Sequence, residues 1–317
     1  MMTTTKKHSV LFVDDEKRIL TALRSIFRRE YDVHIANGGE EALAILAENE
    51  INVIVSDQRM PNMLGNELLA EVHKLYPKTM RLLLTGFMDK EAIIRTINEG
   101  EIYRFINKPW RNDEIHKTIA EAALASEFDV AEVIDHQAVN EDGNTFLKDI
   151  AGNNPDQGIV MMGSSQELRN QIRQVCRQHD INIYGTQSIP QAVSVVAARS
   201  AIGVAIIELP VNTDEALQTI SVLKEKRPEL ISIVLTNETD AETAVELINS
   251  GQVFRYLAKP LENDQLEKAI EQAFTRHHVL TNHTGAKTRY KVEKTTRSIT
   301  NSIKELFSSF GRIGNQA

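Results

Sequence analysis

Hydrophobic positions along the chain follow two alternating patterns. Short runs rich in Val, Ile, Leu and aromatic residues have the length and composition of strands: VLFV (10–13), DVHIA (32–36), INVIV (51–55), MRLLLT (80–85) and IYRFI (102–106). Between them lie stretches such as RILTALRSIF (18–27) and EEALAILAE (40–48), where apolar residues recur at the three-to-four spacing of an amphipathic helix. Strand and helix signals in strict alternation predict βαβ units with right-handed crossovers and a parallel sheet covered on both faces. Continuous apolar runs such as INVIV suit strands buried on both sides.

The pattern occurs twice. GEIYRFINKP (100–109) is matched by GQVFRYLAKP (251–260), an offset of 151 positions. At the same offset LLLTG (82–86) meets IVLTN (233–237), and IVSDQRMP (54–61) meets AIIELPVN (205–212). VLFVDD (10–15) lies opposite IVMMGS (159–164). A repeat of this length predicts two homologous domains. The expected organisation is an α/β protein of two tandem doubly wound, flavodoxin-like five-stranded sheets, with five helices fitting in each domain. The first domain spans 8–125, a linker 126–157, the second domain 158–276 and a tail 277–317.

Composition narrows the picture. Of 317 residues, 42% are hydrophobic and 25% charged, near the average of a soluble globular protein, and the net charge of -8 excludes a chain that binds polyanions over its whole surface. One cysteine, Cys176, excludes a disulfide framework. No apolar run reaches the length of a membrane span, and the two N-terminal lysines precede too short an apolar stretch for a signal peptide. A cytoplasmic chain is expected. The linker has eight acidic residues against one lysine and ends in turn formers, NEDGN and GNNPDQG. Its first part could extend the preceding helix; the acidic run reads as solvated. From 281 onward seven Lys and Arg stand against two Glu, and Ile299, Ile303, Leu306, Phe310 and Ile313 form a short heptad-like seam. That seam predicts an amphipathic helix packed on its own domain or on a dimer mate. Partner-binding and membrane-surface helices are the sharper alternatives.

The chemistry lies where ligands bind in such folds, at the carboxyl ends of the strands. In the first repeat these ends carry Asp14 and Asp15, Asp57, Thr85 and the Lys108-Pro109 pair. Three converging carboxylates repel and call for a cation. Oxygen ligands on a shallow rim suit Mg2+, which keeps waters and leaves places for phosphate oxygens. Asp57 can serve as a nucleophile, Lys108 as a point charge for phosphoryl oxygens and Thr85 as a hydrogen-bond donor. Singly, each has a structural explanation: Asp14 and Asp15 could cap the following helix, and Asp57 could start a turn. Their joint spacing on one rim outweighs those explanations.

This set resembles the receiver domain of two-component response regulators, and the resemblance covers the whole first repeat. SDQRMP and YRFINKPW are similar to receivers often joined to phosphodiesterase output domains. The resemblance implies that Asp57 is the phosphoacceptor and that Asp14, Asp15, Asp57 and the backbone carbonyl of Arg59 hold Mg2+. It also implies that Phe105 is the switch aromatic, turning inward as Thr85 moves toward the phosphoryl group, and that the Lys108-Pro109 bond is cis. In the second repeat Glu208 replaces Asp57, and Gly163 with Ser164 replaces the acidic pair; Thr236, Tyr256 and Lys259-Pro260 remain. This unit reads as a degenerate receiver. Glu208 could pair with Lys259 and hold a phosphorylated-like state, or the unit could have drifted into a docking or dimerisation surface. The second is favoured, because an ion pair offers one charge where an aspartyl phosphate offers about two.

The expected function is a phosphorelay switch, phosphorylated by a histidine kinase or phosphotransfer protein and acting on a downstream protein, with no external enzymatic product. A homodimer is an open expectation. A phosphate sink, or a module binding nucleotide, nucleic acid or lipid through the degenerate receiver or tail, are the alternatives; nucleic acid is disfavoured because no helix-turn-helix precedes the tail. Gly38-Gly39-Glu40-Glu41 resembles a cyclase loop but reads as a helix start. His179-Asp180 resembles a metal-hydrolase dipeptide but lacks sequence partners. His277-His278 is placed near a helix end, where positive charge is favoured.

Overall fold

The computed structural model describes residues 7–86, 98, 102–127, 157–163, 165–208, 213–236, 241–251 and 253–282. Linker residues 128–156, including the part read as extending the preceding helix, nearly all of the stretch between Gly86 and Ile102 where a further helix is expected, the tail helix with its seam, and Ser164 lie outside these residues. The first repeat folds as β1 (Ser9–Val13), α1 (Lys17–Phe27), β2 (Asp32–Ala36), α2 (Gly39–Glu48), β3 (Val53–Asp57), α3 (Gly65–Leu75), β4 (Met80–Thr85), β5 (Arg104–Asn107) and α4 (Asn112–Ser126). The second gives β6 (Gly158–Met162), α5 (Gln166–Gln178), β7 (Asn182–Thr186), α6 (Ile189–Ala198), β8 (Ile202–Glu208), α7 (Thr213–Lys226), β9 (Ile231–Thr236), α8 (Ala241–Gly251), β10 (Arg255–Ala258) and α9 (Asn263–Asn282).

Each repeat forms one five-stranded parallel sheet, in the order β2-β1-β3-β4-β5 and, equivalently, β7-β6-β8-β9-β10. Strand order reverses beside the first strand of each repeat, which opens a crevice at the carboxyl ends of β1 and β3 and of β6 and β8. Alternate residues of a strand face opposite sides. Val10, Phe12, Val53, Val55, Leu82 and Leu84 therefore share one face, where they pack with Leu20, Leu23 and Phe27 of α1 and Ile115 and Ile119 of α4. All are nearly inaccessible to solvent, and burying each such side chain contributes roughly 1.5–3 kcal/mol. In the second repeat Val160, Ala205 and Ile202 pack with Ala192 and Val196 of α6 and Leu223 of α7.

Two local readings hold, the Gly-Gly helix start and the cis Lys108-Pro109 bond, and the second repeat adds a Ser165 cap and a second cis bond. The Gly38-Gly39 pair opens α2. Ser165 caps α5, its hydroxyl accepting from the Leu168 N–H at 3.2 Å. Both Lys-Pro bonds, Lys108-Pro109 and Lys259-Pro260, are cis.

Two features depart from expectation. α9 continues through Asn282, past the boundary placed at 276. Val279 and Leu280 are buried, so the amphipathic pattern sustains the helix. His277 is therefore inside the helix rather than at its end. Its Nδ1 donates to the Glu229 carbonyl at 2.9 Å, and burial, the largest influence, pushes its pKa down. A group so placed favours the neutral ring over a charge that would complement the helix dipole. The other departure is that α8, as far as Asn249, groups with the residues of the first unit. Within that unit the Asn249 amide brackets the edge strand β5, accepting from the Phe105 N–H at 2.9 Å and donating to the Phe105 carbonyl at 3.0 Å. An edge strand presents unpaired backbone groups, and an amide side chain supplies the matching donor and acceptor.

Lys224 on α7 is a polar exception in the core, only 4% exposed. Burial, reinforced by the Arg276 charge and opposed by Glu229, pushes its ammonium down from the ordinary 10.5 to about 7. A cation with a depressed folded-state pKa weakens the fold in full below that pKa. Between pH 7 and 10.5 the unfolded chain binds the extra proton, so stability rises with pH. Urea unfolding of Lys224→Met against wild type should thus show the wild type gaining on the variant as pH increases over that window; a constant difference would contradict this burial.

Candidate functional site

The carboxyl ends of β1, β3, β4 and β5 bring the expected residues together. Asp14 follows β1 and is 1% exposed; Asp57 ends β3 and is 7% exposed. Lys108 follows β5, and its Nζ lies 2.8 Å from Asp14 Oδ2 and 2.6 Å from Asp57 Oδ1. Burial alone would lower the Lys108 pKa, but the hydrogen bonds and charges of Asp14 and Asp57 outweigh it and raise it. The remaining carboxylate oxygens are also held: Asp14 Oδ1 accepts from the Glu16 N–H and Asp57 Oδ2 from the Arg59 N–H, both at 2.8 Å. Asp14 therefore both shapes the entry to α1 and faces the crevice. Asp15, next in the turn, is exposed. Thr85 is buried, and its carbonyl accepts from the Lys108 N–H at 2.8 Å, fixing the start of the Lys-Pro turn. Phe105 is 4% exposed and stands in β5 opposite Leu83.

Three supporting residues escaped the sequence reading. A Cβ on Gly65 would lie 2.1 Å from the Asp57 carbonyl oxygen, so only glycine lets α3 begin against the end of β3. Gln58 and Asn66 are buried and clamp the same loop: Gln58 Nε2 donates to Asn66 Oδ1 at 2.9 Å, and the Asn66 N–H donates to Gln58 Oε1 at 3.1 Å. The sequence signal for them was the glycine opening an amphipathic helix, and two amides flanking the Asp57 turn.

The second crevice keeps the frame and changes the charges. The Lys259 N–H donates to the Thr236 carbonyl at 2.7 Å, repeating the Lys108–Thr85 bond. Tyr256 is fully buried in the place of Phe105. Glu208 is 3% exposed; one carboxylate oxygen pairs with Lys259 Nζ and the other accepts from the Ser165 N–H at 3.0 Å. Arg169 of α5 donates to the Gly163 carbonyl at 2.6 Å. A Cβ on Gly163 would stand 2.6 Å from Glu208 Cβ and 2.3 Å from its Oε2. The longer acidic side chain thus occupies the space of the residue that was Asp14 in the first repeat. Glycine at 163 and glutamate at 208 are therefore sterically linked. The carboxylate is satisfied by groups of the protein itself.

These two crevices, on one frame of five parallel strands, define a family. The response regulator receiver domain matches residues 10–120 and 164–271, and the chain belongs to that family, with two receivers in tandem. It is 40% identical over 120 residues to the hydrogenase transcriptional regulatory protein HoxA of Cupriavidus necator, a match covering 38% of this chain and 25% of that protein. It is 33% identical over 116 residues to the sensor kinase CckA of Brucella abortus, covering 36% of this chain and 12% of that protein. The chain thus spans a quarter or less of these relatives' lengths. Among solved structures, the signal receiver domain of an HD domain-containing protein from Pseudomonas fluorescens Pf-5 is 36% identical and covers 38% of this chain and 98% of that one, with a TM-score of 0.38. No described helix is long and apolar enough to cross a membrane.

The buried pair of the second receiver gives a stability test. Removing one partner of a buried ion pair strands a charge and costs about 3–5 kcal/mol. Lys259→Met should lower stability by about that amount in urea unfolding, and the double variant Glu208→Gln/Lys259→Met should recover much of it. A single variant as stable as wild type would show that Glu208 does not depend on Lys259.

Proposed function

We propose that the first receiver accepts a phosphoryl group on Asp57 from a phosphohistidine of a sensor kinase or phosphotransfer protein. The observation that carries this reading is the convergence of Asp14 and Asp57 on the single Lys108 ammonium. Two acidic groups with one cation leave a net negative, oxygen-rich crevice. That donor set fits Mg2+, which Asp14, Asp15, Asp57 and the Arg59 carbonyl would hold. The metal would supply charge neutralisation to the incoming phosphoryl group.

The residues of the chain divide the remaining work. An Asp57 oxygen forms the new bond to phosphorus while the bond from phosphorus to the donor nitrogen breaks, and the electron pair leaves with the imidazole. Arg59 N–H fixes the carboxylate rotamer, so the nucleophile is oriented before the donor arrives. Lys108 turns from a carboxylate bridge to a contact for phosphoryl oxygens. Thr85 donates its hydroxyl to another of these oxygens, and Phe105, two residues from the Asn107 that pairs with Thr85 across the sheet, reports that movement to β5. The chain has no external product; its output is contact with a downstream protein. Glu208, with its own Lys259 and Ser165 partners, takes no phosphate, and the second receiver serves as a fixed contact module. The setting is the cytoplasm.

The test is incubation of the full chain with Mg2+ and a small phosphodonor, followed by intact-mass measurement. One phosphoryl group per chain is expected, lost in Asp57→Ala, retained in Glu208→Gln, and reduced roughly 100-fold in rate or more in Lys108→Ala, as for loss of one preorganised charge contact. Incorporation that survives Asp57→Ala or requires Glu208 would overturn the assignment.

A further inference from the structure

His179, set aside in the sequence for want of partners, gains two in the fold. It caps the carboxyl end of α5. Asp180 takes a left-handed backbone, φ 52°, and the Ile181 N–H returns to the Cys176 carbonyl at 2.9 Å, closing the helix in a Schellman turn. This geometry fixes the His179 Cα. Glu267 and Glu271 lie one turn apart on α9 and so share a face. At the other end of the helix pair, Gln171 Nε2 donates to the Leu261 carbonyl and to Asn263 Oδ1, both at 2.9 Å, which holds the register of α5 against α9. The result is one imidazole nitrogen and two carboxylate oxygens, all within 4.8 Å of one another, from two braced helices.

We infer that His179, Glu267 and Glu271 form a binding site for a divalent transition metal of the zinc class. His179 Nε2 lies 2.7 Å from Glu267 Oε1, with the His side chain 15% and the Glu side chain 35% exposed. The ligands are shielded enough to bind, yet open to an ion from solvent. Glu271 is partly buried beside Glu267. One imidazole shares this site with two carboxylates, and a bound cation would relieve the repulsion between them. A mixed nitrogen and oxygen set selects Zn2+ and its neighbours over Mg2+, which prefers oxygen alone. Three protein ligands leave a position for water or a further ligand. On binding, the metal takes the Nε2 lone pair: an imidazolium releases its Nε2 proton to water, whereas a neutral ring protonated at Nε2 carries that proton on Nδ1 instead. The site is independent of the Asp57 rim.

The test is titration of the metal-free full chain with ZnCl2 against a chromophoric chelator, with Mg2+ in excess to fill the first receiver. One Zn2+ per chain is expected, and the melting temperature should rise with it. Losing an outer-shell partner of a metal costs about 10- to 100-fold in affinity, so losing a ligand, in His179→Gln or Glu271→Gln, should weaken binding by at least about 100-fold. Without metal, Glu271→Gln should melt no lower than wild type, since it removes a repulsive charge, which separates lost binding from lost folding. Wild type that binds no zinc, variants that bind within a few-fold of wild type, or a zinc that vanishes in Asp57→Asn but persists in His179→Gln, would each overturn the site.

Discussion

Two carboxylates converging at a nearly dry sheet end repel each other unless a cation stands between them, and both receivers are organised around how that charge is met. In the first, Asp14 and Asp57 share the Lys108 ammonium, leaving an excess of negative charge that suits an exchangeable metal. In the second, one carboxylate, Glu208, meets one ammonium, Lys259, and one backbone N–H, that of Ser165. The first balance is incomplete and can be shifted by an incoming ligand. The second is closed by the chain itself. On this contrast rests the proposed division of labour between a switching receiver and a fixed one.

The backbone makes the contrast possible by being the same in both. Each lysine is placed by a bond from its N–H to the threonine carbonyl at the end of the fourth strand, Thr85 or Thr236. Each preceding strand carries a buried aromatic, Phe105 or Tyr256. On that frame small steric changes decide the chemistry. Gly65 lets α3 start against the Asp57 carbonyl, and Gly163 makes room for Glu208. Restoring a side chain at 163 while keeping Glu208 would place atoms closer than their radii allow, so the two positions are linked.

Much of this was legible in the sequence because it depends on local pattern and spacing. Strand runs ending in Asp14, Asp57, Thr85 and Lys108 predicted one rim, and the offset of 151 exposed Glu208 and the lost acidic pair. What escaped depends on three-dimensional proximity without a periodic trace. The Gln58–Asn66 clamp joins residues eight apart through side-chain amides. His179 meets Glu267 across 88 positions. The bracketing of Phe105 by Asn249 joins residues 144 positions apart within one unit, which no repeat boundary reveals. The extension of α9 through Asn282 was missed because the paired histidines were read as a helix end, whereas His277 is half-buried and bound to the Glu229 carbonyl.

The unequal charge balance can be observed residue by residue. In a 15N-labelled full chain titrated with Mg2+, the amides of Glu16 and Arg59, which now donate to Asp14 and Asp57, and the amide of Lys108 should shift together as one binding event. The amides of Ser165 and Lys259, which belong to the closed Glu208 site, should stay in place. Matching shifts at Ser165 and Lys259, or none at Glu16 and Arg59, would contradict the account.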